Sequence, residues 1–160
     1  MNKRKLILII IFILLDQIVK FFVQTNNTSI WVIKNFFSID YTINTGASFG
    51  LFAGKNIFLI IISIVMLVLT YSLMFSYKQN KLNDVLFAML FGGILGNLLD
   101  RIFYSYVRDF ISFEFGSYVF PTFNIADTLI VISVIALVIV GIIGEKKNGN
   151  RNKRTKRKNW

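Results

Sequence analysis

The chain has 160 residues, of which 55% are hydrophobic, and it carries a formal net charge of +10. It contains no cysteine and no histidine, which excludes a disulfide framework, a thiolate nucleophile, a Ser-His-Asp triad and the usual zinc ligand sets. If the chain is an enzyme, its acid and base groups must therefore be Asp, Glu, Lys or Tyr.

The first predicted element is a membrane span from Leu6 to about Val23, because about 20 mostly apolar residues cross the hydrocarbon core of a bilayer. Basic residues 3–5 precede it, but no small-residue cleavage site follows, so we interpret it as an uncleaved span and not as a signal peptide. Asp16 and Lys20 interrupt the span and share one helix face. They either pair in a structural role or position lipid or substrate.

The loop after this span is predicted to contain short strands. Ser29–Ile33 and Phe36–Ile43 are rich in β-branched and aromatic residues, and a turn with Gly46 follows them. We expect a small sheet, about residues 27–54, that lies on the outer membrane surface.

Three further spans are predicted at Ile57 to about Phe75, Val85 to about Leu99, and Ile125 to Gly144. The third span is short and rich in glycine, which allows neighbouring helices to approach closely. An aromatic loop, about residues 102–124, connects it to the fourth. The expected fold is an all-α polytopic membrane protein, with residues 1–145 as one four-helix domain and 146–160 as a basic tail.

Orientation follows from the basic residues, which concentrate in cytoplasmic segments of membrane proteins. A cytoplasmic N-terminus places residues 3–5, the Lys78–Lys81 turn and the basic tail inside, which accounts for most of the 18 Lys and Arg residues. Both termini are therefore predicted to be cytoplasmic. A basic tail can bind nucleic acid, but this chain is apolar and has no nucleic-acid motif, so we expect contact with anionic lipid headgroups instead.

In this orientation, the polar residues in and beside the spans all fall toward the outer face. Each charge within a span costs about 2.5–3.5 kcal/mol at the bilayer centre, so their convergence at one depth indicates a site. The candidates come from separate stretches of the chain: Asp16, Lys20, Asn44, Gly46, Asn97, Asp100, Arg101, Asp109, Asn124 and Asp127.

Several of these residues also have a plain structural interpretation. Asp100 and Arg101 either anchor a helix end at the interface or, in the case of Arg101, hold a nearby carboxylate through a bidentate pair. Asn124 and Asp127 suit the cap and the first turn of the fourth span. Asp109 and Asp127 together suggest more, because two adjacent carboxyl groups share one proton. That is the chemistry of aspartic proteases.

Five stretches of the chain then carry a resemblance to a known family. They are Asp16-Gln-Ile-Val-Lys20, Asn44-Thr-Gly-Ala-Ser-Phe-Gly50, Gly92-Gly-Ile-Leu-Gly-Asn-Leu-Leu-Asp-Arg101, Val107-Arg-Asp-Phe110 and Phe123-Asn-Ile-Ala-Asp127. In this order, on a four-span scaffold, they resemble the lipoprotein signal peptidases (signal peptidase II).

The resemblance implies a membrane aspartic endopeptidase with four transmembrane helices and a small extracytoplasmic β cradle. It would remove the signal peptide from diacylglyceryl-modified prolipoproteins by cleaving just before the lipid-bearing Cys, without a metal or an organic cofactor. By similarity, Asp109 and Asp127 are the catalytic pair, and Asp16 has a structural role. The residues that surround the pair and contact substrate would be Asn44, Asn97, Arg101 and Asn124, and we add Gly46 and Asp100 to this group.

The expected partners are prolipoprotein substrates and membrane lipids, with no nucleic acid, and we expect a monomer in the bacterial cytoplasmic membrane with its active site near the outer face. The chain departs from the family at Arg108, where a small apolar residue is common. We expect this departure to place a basic group beside the dyad.

Two other functions are compatible with the residues. A small transporter or channel would line a polar path with Asp16, Lys20, Arg101 and Asp127, although such a path needs polar groups through the full membrane thickness. A metal-dependent hydrolase would use Asp100, Asp109 and Asp127 as oxygen ligands for magnesium or calcium.

Overall fold

The computed structural model describes residues 2–47 and 50–158, with side chains described as far as Gly144. Ser48 and Phe49, which belong to the second family motif, lie outside the described residues, as do the last two residues of the predicted basic tail.

Four long helices dominate the fold. They are α1 (Lys3–Thr25), α2 (Asn56–Met74), α3 (Lys81–Tyr104) and α4 (Ile125–Lys158). Each is long and apolar enough to cross a membrane, α4 through the part that ends at Gly144. The four predicted spans are therefore confirmed in number, order and approximate position.

Helix α3 is longer than the predicted third span, because it begins before Val85 and continues past Leu99. It has 24 residues and ends where Ser105 adopts a left-handed conformation at its C-cap. It is also the central helix, since 72% of its apolar stretch is buried, against 17–22% in the other three spans. The exposed apolar side chains of those three helices are what a lipid-facing surface requires.

Three glycines allow the other helices to pack closely against α3. A Cβ atom added to Gly92 would lie 2.7 Å from Cβ of Phe12 on α1, and one added to Gly93 would lie 2.5 Å from the carbonyl oxygen of Ala126 on α4. At Gly96 it would lie 2.8 Å from the carboxylate of Asp16. The predicted close approach of helices at these residues is confirmed.

The strands form one antiparallel sheet at the end of the bundle where α1 ends and α4 begins. Its order is β1 (Ser29–Ile33), β2 (Phe37–Asn44), β3 (Val107–Phe115) and β4 (Tyr118–Phe123). The first two strands were predicted. The sheet is nevertheless larger than the predicted segment 27–54, because the loop between α3 and α4 supplies β3 and β4.

Aromatic side chains join the two halves of the sheet across neighbouring strands. The rings of Phe37 and Phe113 stack with centroids 5.0 Å apart, and those of Phe113 and Phe123 stack at 6.1 Å. Cross-strand pairs of this kind stabilise antiparallel sheets. They hold β3, which carries Asp109, between β2 and β4.

Two irregularities interrupt the sheet beside Asp109. The register of β2 against β3 shifts between Ile39 and Thr42. The register of β3 against β4 shifts between Ile111 and Phe113, opposite the segment of β4 that contains Pro121. A bulge is a position where a strand tolerates proline, and bulges bend strands and redirect side chains next to sites.

Candidate active site

Asp109 and Asp127 line the same cavity, which has a volume of about 560 Å³. Asp109 lies on β3 and is buried, and Asp127 lies in the first turn of α4. Asn124 bonds to both carboxylates, because its Nδ2 donates to Oδ1 of Asp109 at 2.6 Å and its backbone N–H donates to Oδ2 of Asp127 at 3.3 Å. The two predicted catalytic residues are thus brought together around one asparagine.

The remaining carboxylate oxygens each accept a bond from another asparagine. Nδ2 of Asn44 donates to Oδ2 of Asp109 at 2.8 Å, and Nδ2 of Asn97 donates to Oδ1 of Asp127 at 2.7 Å. Because a carboxylate oxygen has two lone pairs, each oxygen retains an acceptor position for a proton or a water molecule.

Local structure explains how these asparagines are placed. Oδ1 of Asn124 accepts the backbone N–H of Asp127 at 2.9 Å, so Asn124 is also the predicted N-cap of α4. Oδ1 of Asn44 accepts the backbone N–H of Gly46 at 2.9 Å. Gly46 is required in this turn, because a Cβ there would lie 2.7 Å from the carbonyl oxygen of Leu51.

The electrostatics of the site favour a proton on Asp109. Burial and, second, the negative charge of Asp127 raise the pKa of Asp109 to about 7, although the hydrogen bonds from Asn44 and Asn124 oppose this shift. A carboxyl group with this pKa is partly protonated at neutral pH, as one member of an acid–base pair requires.

Asp16 and Lys20 form a buried pair behind the cavity. Nζ of Lys20 lies 2.8 Å from Oδ2 of Asp16 and 3.2 Å from Oδ2 of Asp100, and it donates to Oδ1 of Asn97 at 2.9 Å. Oδ1 of Asp16 also accepts the backbone N–H of Ala126 at 2.9 Å. The pair therefore supports the start of α4 and the asparagine that bonds to Asp127, and it does not line the cavity.

Asp100 and Arg101 point to different places. Arg101 lines the cavity, where its Nη2 donates to the carbonyl oxygen of Gly46 at 3.1 Å. No carboxylate among the described residues forms a salt bridge with Arg101, so the bidentate pair considered for it is not found. Asp100 is fully buried, and its carboxylate binds Lys20, Arg108 and the side-chain amide of Gln17.

The expectation that Arg108 places a basic group beside the dyad is wrong. Successive side chains of a strand point to opposite faces, so Arg108 and Asp109 diverge. The Arg108 guanidinium lies 2.6 Å from Oδ1 of Asp100 and bonds to Gln17 and Gln24 on α1. The two glutamines were missed by sequence reasoning, although both lie on the helix face that carries Lys20, at i, i+3 and i+7.

The rest of the cavity wall is mostly apolar and was also not predicted. The strands contribute Thr42, Ile43, Val107, Phe120, Pro121, Thr122 and Phe123, and α4 contributes Thr128, Val131 and Ile132. Val131 and Ile132 keep more than half of their surface exposed on the outside of α4. The cavity therefore pairs an acid–base centre with apolar surface that continues onto the lipid-facing side of the bundle.

These contacts disfavour the two other functions. A core of buried apolar residues, including Ile9, Phe87, Leu90 and Ile94, separates the polar site from the Lys5–Asp84 ion pair at the opposite end of the bundle. A polar path through the bundle is therefore interrupted. A metal site that needs Asp100 is disfavoured as well, since its carboxylate is bound by two cations away from the cavity.

Comparisons with known proteins agree with this geometry. The family model described as Signal peptidase (SPase) II matches residues 8–143. The chain is similar to the lipoprotein signal peptidase of Clostridium novyi (strain NT), with 41% identity over 83% of this chain and 94% of the relative. The corresponding protein of Clostridium tetani (strain Massachusetts / E88) is also 41% identical, over 84% and 90%. A solved structure described as a bacterial membrane enzyme has a TM-score of 0.78 and 33% identity, covering 90% of each chain.

Proposed function

This chain belongs to the signal peptidase II family and is a membrane endopeptidase that removes signal peptides from prolipoproteins, and we propose that Asp109 and Asp127 catalyse the hydrolysis. The observation that supports these residues is that Asn124 bonds to both carboxylates at the wall of one partly apolar cavity.

In the proposed mechanism the two carboxyl groups share one proton. Asp109 holds it, because burial and the charge of Asp127 raise the pKa of Asp109 to about 7. The ionised Asp127 accepts a proton from water as the water oxygen attacks the peptide carbonyl carbon, and Asp109 donates its proton to the carbonyl oxygen. The tetrahedral intermediate then collapses: Asp127 passes the proton it took from water to the nitrogen of the leaving amine, the C–N bond breaks, and Asp109 takes back a proton from the gem-diol hydroxyl as the new carboxyl group forms.

The proposed cleavage position is the bond just before a diacylglyceryl-modified Cys. Val131 and Ile132 support this assignment, because they belong both to the cavity wall and to the exposed apolar surface of α4. Acyl chains on that surface would bring the Cys backbone to the dyad. The strands on the other side of the cavity would hold the peptide in an extended conformation.

The proposed orientation places both termini in the cytoplasm and the sheet end of the bundle at the outer face. Basic residues at the opposite end support it, since Lys78, Lys81 and residues 145–158 of α4 all lie there. We further propose that residues 1–145 act as one monomeric domain, and that the basic tail contacts anionic headgroups.

The test is cleavage of a diacylglyceryl-modified prolipoprotein by the purified protein in detergent, with and without a chelator. Asp109→Asn and Asp127→Asn should each lower kcat by about 10³-fold or more, because either change removes one member of a pair that acts as a unit. Asp40→Asn is the matched control, since Asp40 lies on β2 outside the cavity, and it should cleave at the wild-type rate. Wild-type cleavage should resist the chelator.

Each contrary result would identify a different error. Full activity in either dyad variant would remove these residues from the mechanism. Loss of wild-type activity on chelation would favour a metal hydrolase. Wild-type protein that fails to cleave but conducts ions in liposomes would favour the transporter.

A further inference from the structure

We propose that Arg108 is a positioning residue for the dyad, which it holds in place by tying the start of β3 to α1 and α3. This inference rests on the proposed function, because it assumes that Asp109 is catalytic. Arg108 itself does not line the cavity and touches neither Asp109 nor Asp127 through its guanidinium.

The first support is the way in which Arg108 binds Asp100. Its backbone N–H donates to Oδ2 of Asp100 at 3.0 Å, and its side chain reaches the same carboxylate through Nε at 3.3 Å and Nη2 at 2.6 Å. Main chain and side chain are thus bound to one acceptor on α3. These bonds fix the Val107–Arg108 peptide and the Arg108 side chain, and Arg108 is the residue immediately before Asp109.

The second support is that the guanidinium also reaches α1. Its Nη1 donates to Oε1 of Gln24 at 3.1 Å and its Nη2 donates to Oε1 of Gln17 at 2.7 Å. Its Cζ lies 4.5 Å from the ring centroid of Tyr104 in the last turn of α3, within cation–π distance. Arg108 is 2% exposed, so one buried side chain connects a strand with two helices.

The third support is the charge balance behind the dyad. Asp16, Lys20, Asp100 and Arg108 form a buried cluster of two anions and two cations. A buried charge without a partner is costly. Without Arg108, Asp100 would draw more strongly on Lys20, which also donates to Oδ1 of Asn97 at 2.9 Å. Asn97 in turn bonds to Asp127.

Arg108 therefore acts on both halves of the dyad by separate routes. It acts on Asp109 through the main chain of β3, and on Asp127 through the chain of contacts from Asp100 to Lys20 to Asn97. A displacement of about 1 Å at a reacting group can lower a rate by about 10²-fold.

The test compares Arg108→Gln, Arg108→Lys, Asp100→Asn and the double variant Asp100→Asn with Arg108→Gln in the cleavage assay. Arg108→Gln should lower kcat by about 10–100-fold and leave KM within about twofold, because the cavity wall is unchanged. Arg108→Lys should retain an intermediate kcat, since an ammonium still balances Asp100. The double variant should regain about tenfold in kcat over Arg108→Gln, because Asp16 and Lys20 then remain as a neutral pair. Lys34→Gln, a charge loss at the exposed turn after β1, is the control.

The proposal is overturned if Arg108→Gln and Arg108→Lys retain wild-type kcat per folded enzyme while their unfolding temperatures fall, which would show a purely structural role. It is also overturned if the losses in the two single variants multiply in the double variant. If Arg108→Gln does not fold, the kcat of Arg108→Lys decides. Asp109→Asn in the same assay separates the two proposals: if it is fully active, the dyad itself is wrong, whatever the Arg108 variants do.

Discussion

Asn124 is the residue on which the geometry of the site depends most. It caps α4 with Oδ1, bonds to Asp109 with Nδ2 and reaches Asp127 through its backbone N–H. Folding of the helix and pairing of the carboxylates therefore use the same side chain. An alanine at this position would lose a helix cap, which contributes about 1 kcal/mol, together with a donor to Asp109.

At this scale we predict the effect of Asn44→Ala on the pH dependence of cleavage. The hydrogen bond from Asn44 stabilises ionised Asp109 and so lowers its pKa, against the larger upward shift from burial. Wild-type kcat/KM should fall above pH about 7, where Asp109 of the free enzyme loses its proton. Removal of the Asn44 donor should raise the pKa of Asp109 further. The fall in activity on the alkaline side of the pH profile (its alkaline limb) should therefore move to higher pH.

The measurement is kcat/KM against pH, because this profile reports groups in the free enzyme, the state to which the pKa of about 7 belongs. The pH at which activity falls is independent of any loss of substrate contact, because such a loss lowers kcat/KM equally at all pH values. A limb that stays in place, or moves to lower pH, would contradict the assignment of the proton to Asp109.

The sequence predicted most of the site residues, but it did not predict the side of β3 to which the Arg108 side chain points. Asp109 and Asp127 followed from their motifs, and the structure brings them together. The side of β3 occupied by Arg108 did not follow, because that required the knowledge that Arg108 and Asp109 are consecutive residues of a strand. The only sequence signal for Gln17 and Gln24 is their spacing, which places them on one face of α1. That spacing indicates a role only once their shared partner, Arg108, is known.

Among the elements, α3 determines how closely the other helices assemble. Its glycines allow α1 and α4 to approach within contact distances that no side chain would permit. Ala126, whose carbonyl oxygen lies over Gly93, immediately precedes Asp127. Helix packing and placement of the dyad are therefore coupled at this point.

We predict that Gly93→Ala destabilises the fold by about 1–3 kcal/mol, the usual cost of overpacking. Its Cβ would lie 2.5 Å from the carbonyl oxygen of Ala126, so α4 would have to shift. The unfolding temperature in detergent should fall and kcat should fall with it. Gly144→Ala is the control, since a Cβ there meets nothing within 4 Å. Equal unfolding temperatures for the two variants would contradict this account.

The elements differ in how far the sequence predicts them. The four spans could be predicted because long apolar runs are typical of transmembrane helices and of few other structures. Strands β3 and β4 were not predicted, because β3 begins with four consecutive buried residues and so shows no alternation. β4 contains Pro121, which argues against a strand unless a bulge is present. Helix α3 passes Asp100 and Arg101 because both side chains have buried or half-buried partners that the local sequence does not reveal.

The molecule as a whole has two polar ends separated by an apolar core. One end holds the dyad and the sheet. At the other, Lys5 and Asp84 form an ion pair of 3.1 Å. Among the described residues, only the first of these two polar ends combines a sheet, a cavity and a pair of carboxyl groups, so catalysis is expected at one membrane face only.

We predict the orientation of the molecule by cysteine labelling, which is clean because the natural chain has no cysteine. Ser117, in the exposed turn between β3 and β4, and Lys78, in the exposed connection between α2 and α3, mark opposite ends of the bundle. In intact cells an impermeant maleimide should label Ser117→Cys and should label Lys78→Cys only after permeabilisation. The reverse pattern would place the dyad in the cytoplasm.

Val131 and Ile132 belong both to the cavity wall and to the exposed apolar surface of α4, a surface suited to contact with hydrocarbon. An acylated substrate can therefore arrive by diffusion in two dimensions, within the leaflet. The quantity that governs its encounter with the enzyme is then the mole fraction of substrate among the lipids, and molarity in the aqueous phase has little meaning. Crowding of the leaflet and membrane area become kinetic variables for this reaction, in the way that volume is for a soluble protease.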